Sequence, residues 1–265
     1  MLNKIKNTFN LLKNMGMRYV AFRVQYMVSS KLGFHKNKFP ANPSTKSFIS
    51  LSSWRNNTPV FFFDGKNNIP VPKKESEALS LRFRESEKGI YIFFSSEKID
   101  LGTAYNWITN PDTGYRYDIT KHWSEIQDLS SEAGDIKYVW EKARFSYLYD
   151  IIRHDYHNDS DQAAFVFSEI EDFIEQNPIN LGPNYKCSQE ISLRILNWTF
   201  ALYYYKNSEF LTSERFDTIV NSIYWQLHHV YHNINFSRIA VRNNHAITET
   251  LMLYLSGLLF PFIPE

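Results

Sequence analysis

The 265 residues suffice for one large domain or two small ones, and 43% hydrophobic with 22% charged residues marks a globular chain, not a disordered one. A single cysteine, Cys187, excludes an intramolecular disulfide and any cysteine-clustered metal centre. The net charge of +1 hides an asymmetry: residues 1–63 hold ten Lys and Arg and no acidic residue, whereas the remainder holds 19 basic and 28 acidic residues. Blocks of opposite sign either dock on one another or leave the basic arm for an anionic partner.

In chain order, residues 1–32 read as a helix stopped by Gly33. Leu2, Ile5, Phe9 and Leu12 fall at helical spacing among Lys4, Lys6 and Lys13, which fits a helix lying on an anionic membrane surface or packed on its own domain. This N-terminus lacks the continuous apolar core of a signal peptide, which favours a cytoplasmic location over a periplasmic one. The most apolar stretch, 251–264, is interrupted by Ser256, Gly257, Pro261 and Pro264 and falls short of the roughly 18 residues that span a bilayer. Residues 33–60 read as linker, Val60 to Phe63 as β-like, and Leu81/Phe83 with Tyr91/Phe93 as a hairpin turning at 86–89. Residues 101–118 read as loop, with a turn at Asn110-Pro111-Asp112-Thr113-Gly114.

From residue 119 helical periodicity takes over. Helices are expected near 135–157, from 160 to Pro178, from Ser188, from Ser213 and over 245–259. Starts about 25 to 32 residues apart are the period of stacked helical hairpins, without a matching sequence repeat. The expected fold is therefore mainly α: an incomplete α/α toroid of helical hairpins over 119–265, preceded by a small α+β region over 1–118 that contains a β-hairpin. The loops 177–187 and 233–244 are long for such connections and are places to look for function.

No phosphate loop, HExxH, GxSxG or dinucleotide fingerprint is present, and neither a nucleic-acid partner nor a cofactor is expected. His228 and His232, four apart on one helix face, lack a third ligand at a supporting spacing, so no metal site is expected; Cys187 at a helix start reads as structural. The segment Ser237–Thr250 concentrates chemistry. Arg238, Arg242, Asn243, Asn244, His245 and Glu249 converge on one loop-to-helix junction. Helix capping needs one asparagine and explains neither Arg242 nor His245 nor Glu249. Amide, imidazole and guanidinium groups together suit an anionic, hydroxyl-rich ligand, and 44 aromatic residues (21 Phe, 17 Tyr, 6 Trp) suit either a packed core or stacking on sugar rings.

Asn243-Asn244-His245-Ala-Ile-Thr-Glu249, followed by an apolar helix ending at Gly257-Leu-Leu-Phe-Pro261, resembles the heparinase II/III family of polysaccharide lyases. Further landmarks follow in the order of that family's N-terminal helical domain: Asn106-Trp107, Asp112-x-Gly114 and His122-Trp123; Asp135-Ile-Lys137 and Trp140-Glu141-x-x-Arg144-Phe145; Asn177-Pro178, Asn184 and Glu190-x-x-x-Arg194-x-x-x-Trp198. The resemblance covers 100–265 well and 1–99 loosely. It implies an α/α toroid followed by a β-sandwich domain, and β-elimination at uronic acid residues of an acidic polysaccharide. It places the group that neutralises the sugar carboxylate at Asn243-Asn244-His245; from residue type and position, Arg238, Arg242 and Glu249 are expected as substrate contacts, with Glu249, four residues after His245, also placed to hold the imidazole in a fixed orientation. The family's catalytic tyrosine, later histidine and β-sandwich have no counterpart up to Glu265, so this chain by itself is expected to be inactive, a fragment or a split product. The other reading is a non-catalytic glycan-binding or assembly module associated with polysaccharide synthesis.

Overall fold

The computed structural model describes residues 13–127 and 129–264; the expected stripe Leu2, Ile5, Phe9 and Leu12 lies outside them. The chain is mainly helical. It begins with α1 (Met17–Lys31), α2 (Phe34–Lys38), α3 (Leu51–Asn56) and α4 (Glu77–Glu87). The hairpin β1 (Ile90–Phe93) and β2 (Glu97–Asp100) follows, then a second short antiparallel pair, β3 (Leu129–Ser130) and β4 (Gly134–Asp135). The helical part comprises α5 (Lys137–Ala143), α6 (Leu148–Asn158), α7 (Ala163–Gln176), α8 (Ser188–Tyr204), α9 (Ser213–Asn235) and α10 (Asn244–Leu259), with a π-helical turn, Phe236–Val241, between the last two.

The hairpin sits later than the sequence predicts. Ser76 caps α4 by accepting from the Leu79 amide, and Leu79 and Phe83, one turn apart, are the positions that face the core. The alternation that reads as a strand is broken by Leu81, which is exposed. The turn at Gly89 does exist, but it joins helix to strand. Gly89 has φ 79°, and a Cβ there would stand 2.1 Å from the Gly102 carbonyl oxygen, so only glycine fits. Val60 to Phe63 pairs with no strand; Phe61 and Phe63 pack on the Phe200 ring of α8.

The helix expected over 135–157 is two helices. Phe145 breaks it with φ 62°, and its fully buried ring is held among Trp107, Phe173 and Trp198. Burying a ring of that size stabilises by ~2–3 kcal/mol, enough to hold a backbone strain of ~1–3 kcal/mol. The loop expected over 233–244 is mostly helical: α9 runs to Asn235 and continues into the π turn, which ends at Arg242 with φ 57°.

Helix α8 is the centre, packed against α6, α9 and α10, while α7 packs on α9. The core that surrounds it draws residues from both sides of residue 118: Phe39, Leu51, Trp54 and Phe83 join Phe167, Ile195, Trp198 and Ile223. The basic arm is docked, though mostly not by carboxylates. Arg55 donates to the carbonyls of Lys206, Ser208 and Leu211 at 2.7–3.1 Å. Lys46 donates to the Tyr224 hydroxyl at 2.7 Å and lies over the Trp225 ring. Among the described residues up to 63, Lys36 makes the one carboxylate ion pair, with Glu125 at 2.8 Å.

Candidate functional site

The π turn and the first turn of α10 lie against the N-terminal end of α8, and together they form one wall of a cleft of about 790 Å³. Its other walls come from α1 and α2 (Tyr26, Ser30, His35), from Trp123, and from α5 and the residues before it (Ile136, Lys137, Trp140). A volume of this size admits a few sugar units.

Asn243 caps α10, its side-chain oxygen accepting from the His245 amide at 3.0 Å. The cap turns Asn244 and His245 into the cleft. The Asn244 side chain makes no hydrogen bond among the described residues and is solvent-exposed. His245 is half-buried; its Nδ1 is 3.8 Å from the Cys187 sulfur and 4.0 Å from Glu249 Oε1, too far for the latter to fix the ring by a hydrogen bond. Burial lowers the imidazole's pKa, so the ring is neutral near pH 7.

Glu249, one turn further on, is sealed from solvent. The Ser237 hydroxyl of the π turn donates to its Oε1 at 2.5 Å, while Oε2 is buried with no hydrogen-bond partner among the described residues. Burial raises its pKa to about 7, against the opposing pull of the Ser237 hydrogen bond. Cys187 also lines the cleft; burial raises its thiol to about 12, so it stays protonated and is no nucleophile.

Of the other expected site residues, Arg242 and Arg238 are exposed and stand outside the cleft wall. Arg242 donates to the Ile239 carbonyl at 2.8 Å, and its guanidinium lies 5.9 Å from the Tyr19 ring centre. The cleft instead contains Arg144, bound by Glu190 through two hydrogen bonds at 2.6 and 3.1 Å and by Glu141 at 2.7 Å. Tyr26 and His35 carry no motif that marks them in the sequence; only the charge asymmetry hints that their segment folds back onto the rest.

Other landmarks of the resemblance hold the scaffold. Asn184 donates to the Trp107 carbonyl and to Asn177, both at 2.8 Å. The Trp107 indole donates to Asp172 at 2.6 Å, and His122 Nε2 meets the Phe39 carbonyl at 2.9 Å. Arg194, fully buried, donates to Gln226 and to the carbonyls of Ala143 and Asn184 at 2.7–3.2 Å. Among the described residues no group of three His, Cys, Asp or Glu is arranged to hold a metal, and no helix is long and apolar enough to cross a membrane.

This helical architecture is one already seen in a polysaccharide-cleaving enzyme. It matches the crystal structure of heparan sulfate lyase HepC from Pedobacter heparinus with a TM-score of 0.58 and 16% identity, over 80% of this chain and 31% of that one. A mutant of the same lyase matches with a TM-score of 0.57 and 15% identity, over 80% and 30%. The chain thus shares its fold with under a third of the length of these solved structures. No protein-family model and no curated protein sequence matches it.

Proposed function

We propose that the chain is the helical, toroid-type part of a heparinase II/III-like polysaccharide lyase and that its cleft takes an acidic, uronate-containing polysaccharide. The observation that supports this most is the meeting of Asn244, His245 and the near-neutral Glu249 on one wall of a large cleft. β-Elimination at a uronate removes the proton at C5, forms the C4–C5 double bond, and expels the C4 oxygen, which takes up a proton. The sugar carboxylate must first be neutralised by hydrogen bonding, or the carbanion costs too much. The Asn244 amide, exposed in the cleft, is a donor suited to that task, neutral His245 is a group able to accept a proton, and Glu249 stands buried behind them. Asn243 acts beside them by capping, and Arg238 and Arg242 meet the polymer only at the rim.

The second reading, a glycan-binding module without turnover, is favoured by one feature. Tyr26, in the cleft wall, has its hydroxyl hydrogen-bonded to Asn233 at 3.3 Å, so this phenol is engaged by the protein and not presented to a leaving oxygen. We expect the 265-residue chain to bind uronate oligosaccharides and to release no unsaturated product. Calorimetric titration measures the first, and ultraviolet absorbance of the unsaturated uronate the second. Absence of binding to heparan, alginate and other uronate oligomers would remove the glycan reading. Robust turnover would remove the non-catalytic one and make His245 the base.

A further inference from the structure

Among the described residues, nothing packs on the side of α1 turned away from the cleft. At 100° per residue, Met17, Val20, Val24, Met27 and Val28 share one side of this helix, opposite Tyr26, and Leu32 continues the row. Met17, Val24, Met27, Val28 and Leu32 are 44–79% exposed, and Phe34 just beyond is 56% exposed. Exposed apolar residues scattered singly are ordinary, but a continuous row of them on one helix marks a surface that something covers.

Charge decides what covers it. Lys13, Arg18 and Lys31 accompany the row, while Arg23, Lys36 and Lys38 turn to Phe236, Glu125 and the His232 carbonyl, and the chain has no acidic residue before Asp64. A second bare apolar row exists on α10 (Ile247, Leu251, Tyr254, Leu258), but no Lys or Arg lies between 243 and 265. The α10 row has the character of a helix-packing face. The α1 row has the character of a helix that lies in a membrane interface, with aliphatic and methionine side chains on one side, Lys31 at the end of that same side, and Arg18 and Arg23 off its edges. Arg18 and Lys31 make no ion pair among the described residues, which leaves their charge available to an external anion.

We propose that α1 seats this protein on an anionic lipid surface. Met17, Val24, Met27, Val28 and Leu32 enter the boundary between headgroups and acyl chains, and Lys13, Arg18 and Lys31 meet the lipid phosphates, Lys31 by extending its stem past the apolar row. The opposite side of the same helix supplies Tyr26 and Ser30 to the cleft, so the cleft lies about one helix diameter, roughly 10 Å, from the headgroups. Lipid binding draws on none of the cleft's polar residues and is independent of the glycan reading.

The test is co-sedimentation of the full 265-residue chain with vesicles of phosphatidylcholine alone and of phosphatidylcholine with about one third phosphatidylserine. Binding to the anionic vesicles should be at least about tenfold tighter and should weaken as salt screens the cations. Val24→Asp with Val28→Asp should abolish it without changing circular dichroism or melting temperature, because both side chains are exposed. Arg18→Glu with Lys31→Glu should weaken it about tenfold, and Leu251→Asp on the α10 row should leave it unchanged. The proposal is overturned if the chain ignores anionic vesicles, if the Val24/Val28 variant still sediments, or if Leu251→Asp abolishes binding equally. It is also overturned if the wild type is a dimer that the Val24/Val28 substitutions make monomeric while neither binds vesicles, since the row would then be a contact between copies.

Discussion

Arg194 and Glu249 are both ionisable and both sealed from solvent, yet the protein surrounds them differently. Arg194 finds a side-chain acceptor and two carbonyls, and its guanidinium rests 4.5 Å from the Phe173 ring centre. It ties α5, α8, α9 and the segment before α8 together, and it faces no cleft. Among the described residues Glu249 has one donor, Ser237, and an oxygen with no partner, and it stands in the wall of the cleft. A buried polar group that the chain satisfies is scaffold; one that the chain leaves half satisfied beside open space is positioned for something else.

The largest effect that this contrast predicts is on stability. Arg194→Ala should cost ~3–5 kcal/mol, because it opens a cavity and leaves Gln226 and two buried carbonyls without a donor. Chemical denaturation measures this; a loss under about 1 kcal/mol would mean that Arg194 is not the tie described. Asn244→Ala with His245→Ala should do the reverse. Affinity for uronate oligosaccharides should fall at least about tenfold, worth ~1.4 kcal/mol, with little change in melting temperature. If affinity survives and the protein melts earlier, the motif is structural.

Glu249 gives a pH signature. Its folded pKa, about 7, lies above its ordinary value of 4.5, so the folded state holds the proton more tightly than the unfolded chain. The resulting stabilisation is complete below about 4.5 and is lost as pH rises towards 7. The histidines His35, His122, His229 and His245 act in the opposite sense. Burial lowers each of them, so their contribution is complete above about 6.5 and is lost as pH falls. A comparison with Glu249→Gln separates the two. Stability relative to the wild type should climb for the variant between pH 5 and 7; parallel curves would show that Glu249 does not titrate there. The smallest effect is expected at Asn243. Losing the cap by Asn243→Ala should cost about 1 kcal/mol and should weaken glycan binding only through fraying of the first turn of α10.

Much of the helical part is legible in the sequence, because the apolar stripes there are long and end in clear signals. Residues Val166, Phe167, Ile170 and Phe173 of α7 and Ile191, Ile195, Trp198 and Leu202 of α8 are buried as their spacing predicts. The failures are local conflicts. At 79–83, Leu79, Leu81 and Phe83 satisfy a period of two as well as of four, and only the Ser76 cap with the exposed Leu81 decides for helix. At Phe145 a favourable helical sequence is interrupted by an aromatic cluster formed with residues as distant as Trp107 and Trp198. For the site, the junction Asn243-Asn244-His245 and Glu249 could be singled out by residue type, but the wall made by Tyr26 and His35 could not. Their approach depends on how a basic arm folds back, and that arm is held by burial of Phe39, Leu51 and Trp54 in the core and by Arg55 on three backbone carbonyls, partners that no local motif announces.

The anchoring of Arg55 has a consequence for how the chain is made. Its three acceptors extend to Leu211, 156 residues downstream. At a synthesis rate of about 5–20 residues per second, roughly 8–30 s separate the joining of Arg55 to the chain from the joining of its last acceptor. During that interval Trp54 and Leu51 lack the partners on α8 and α9 that later bury them. The segment around Arg55 therefore precedes its partners in synthesis and can dock only after they have been made, and until then it stays open to chaperones and proteases.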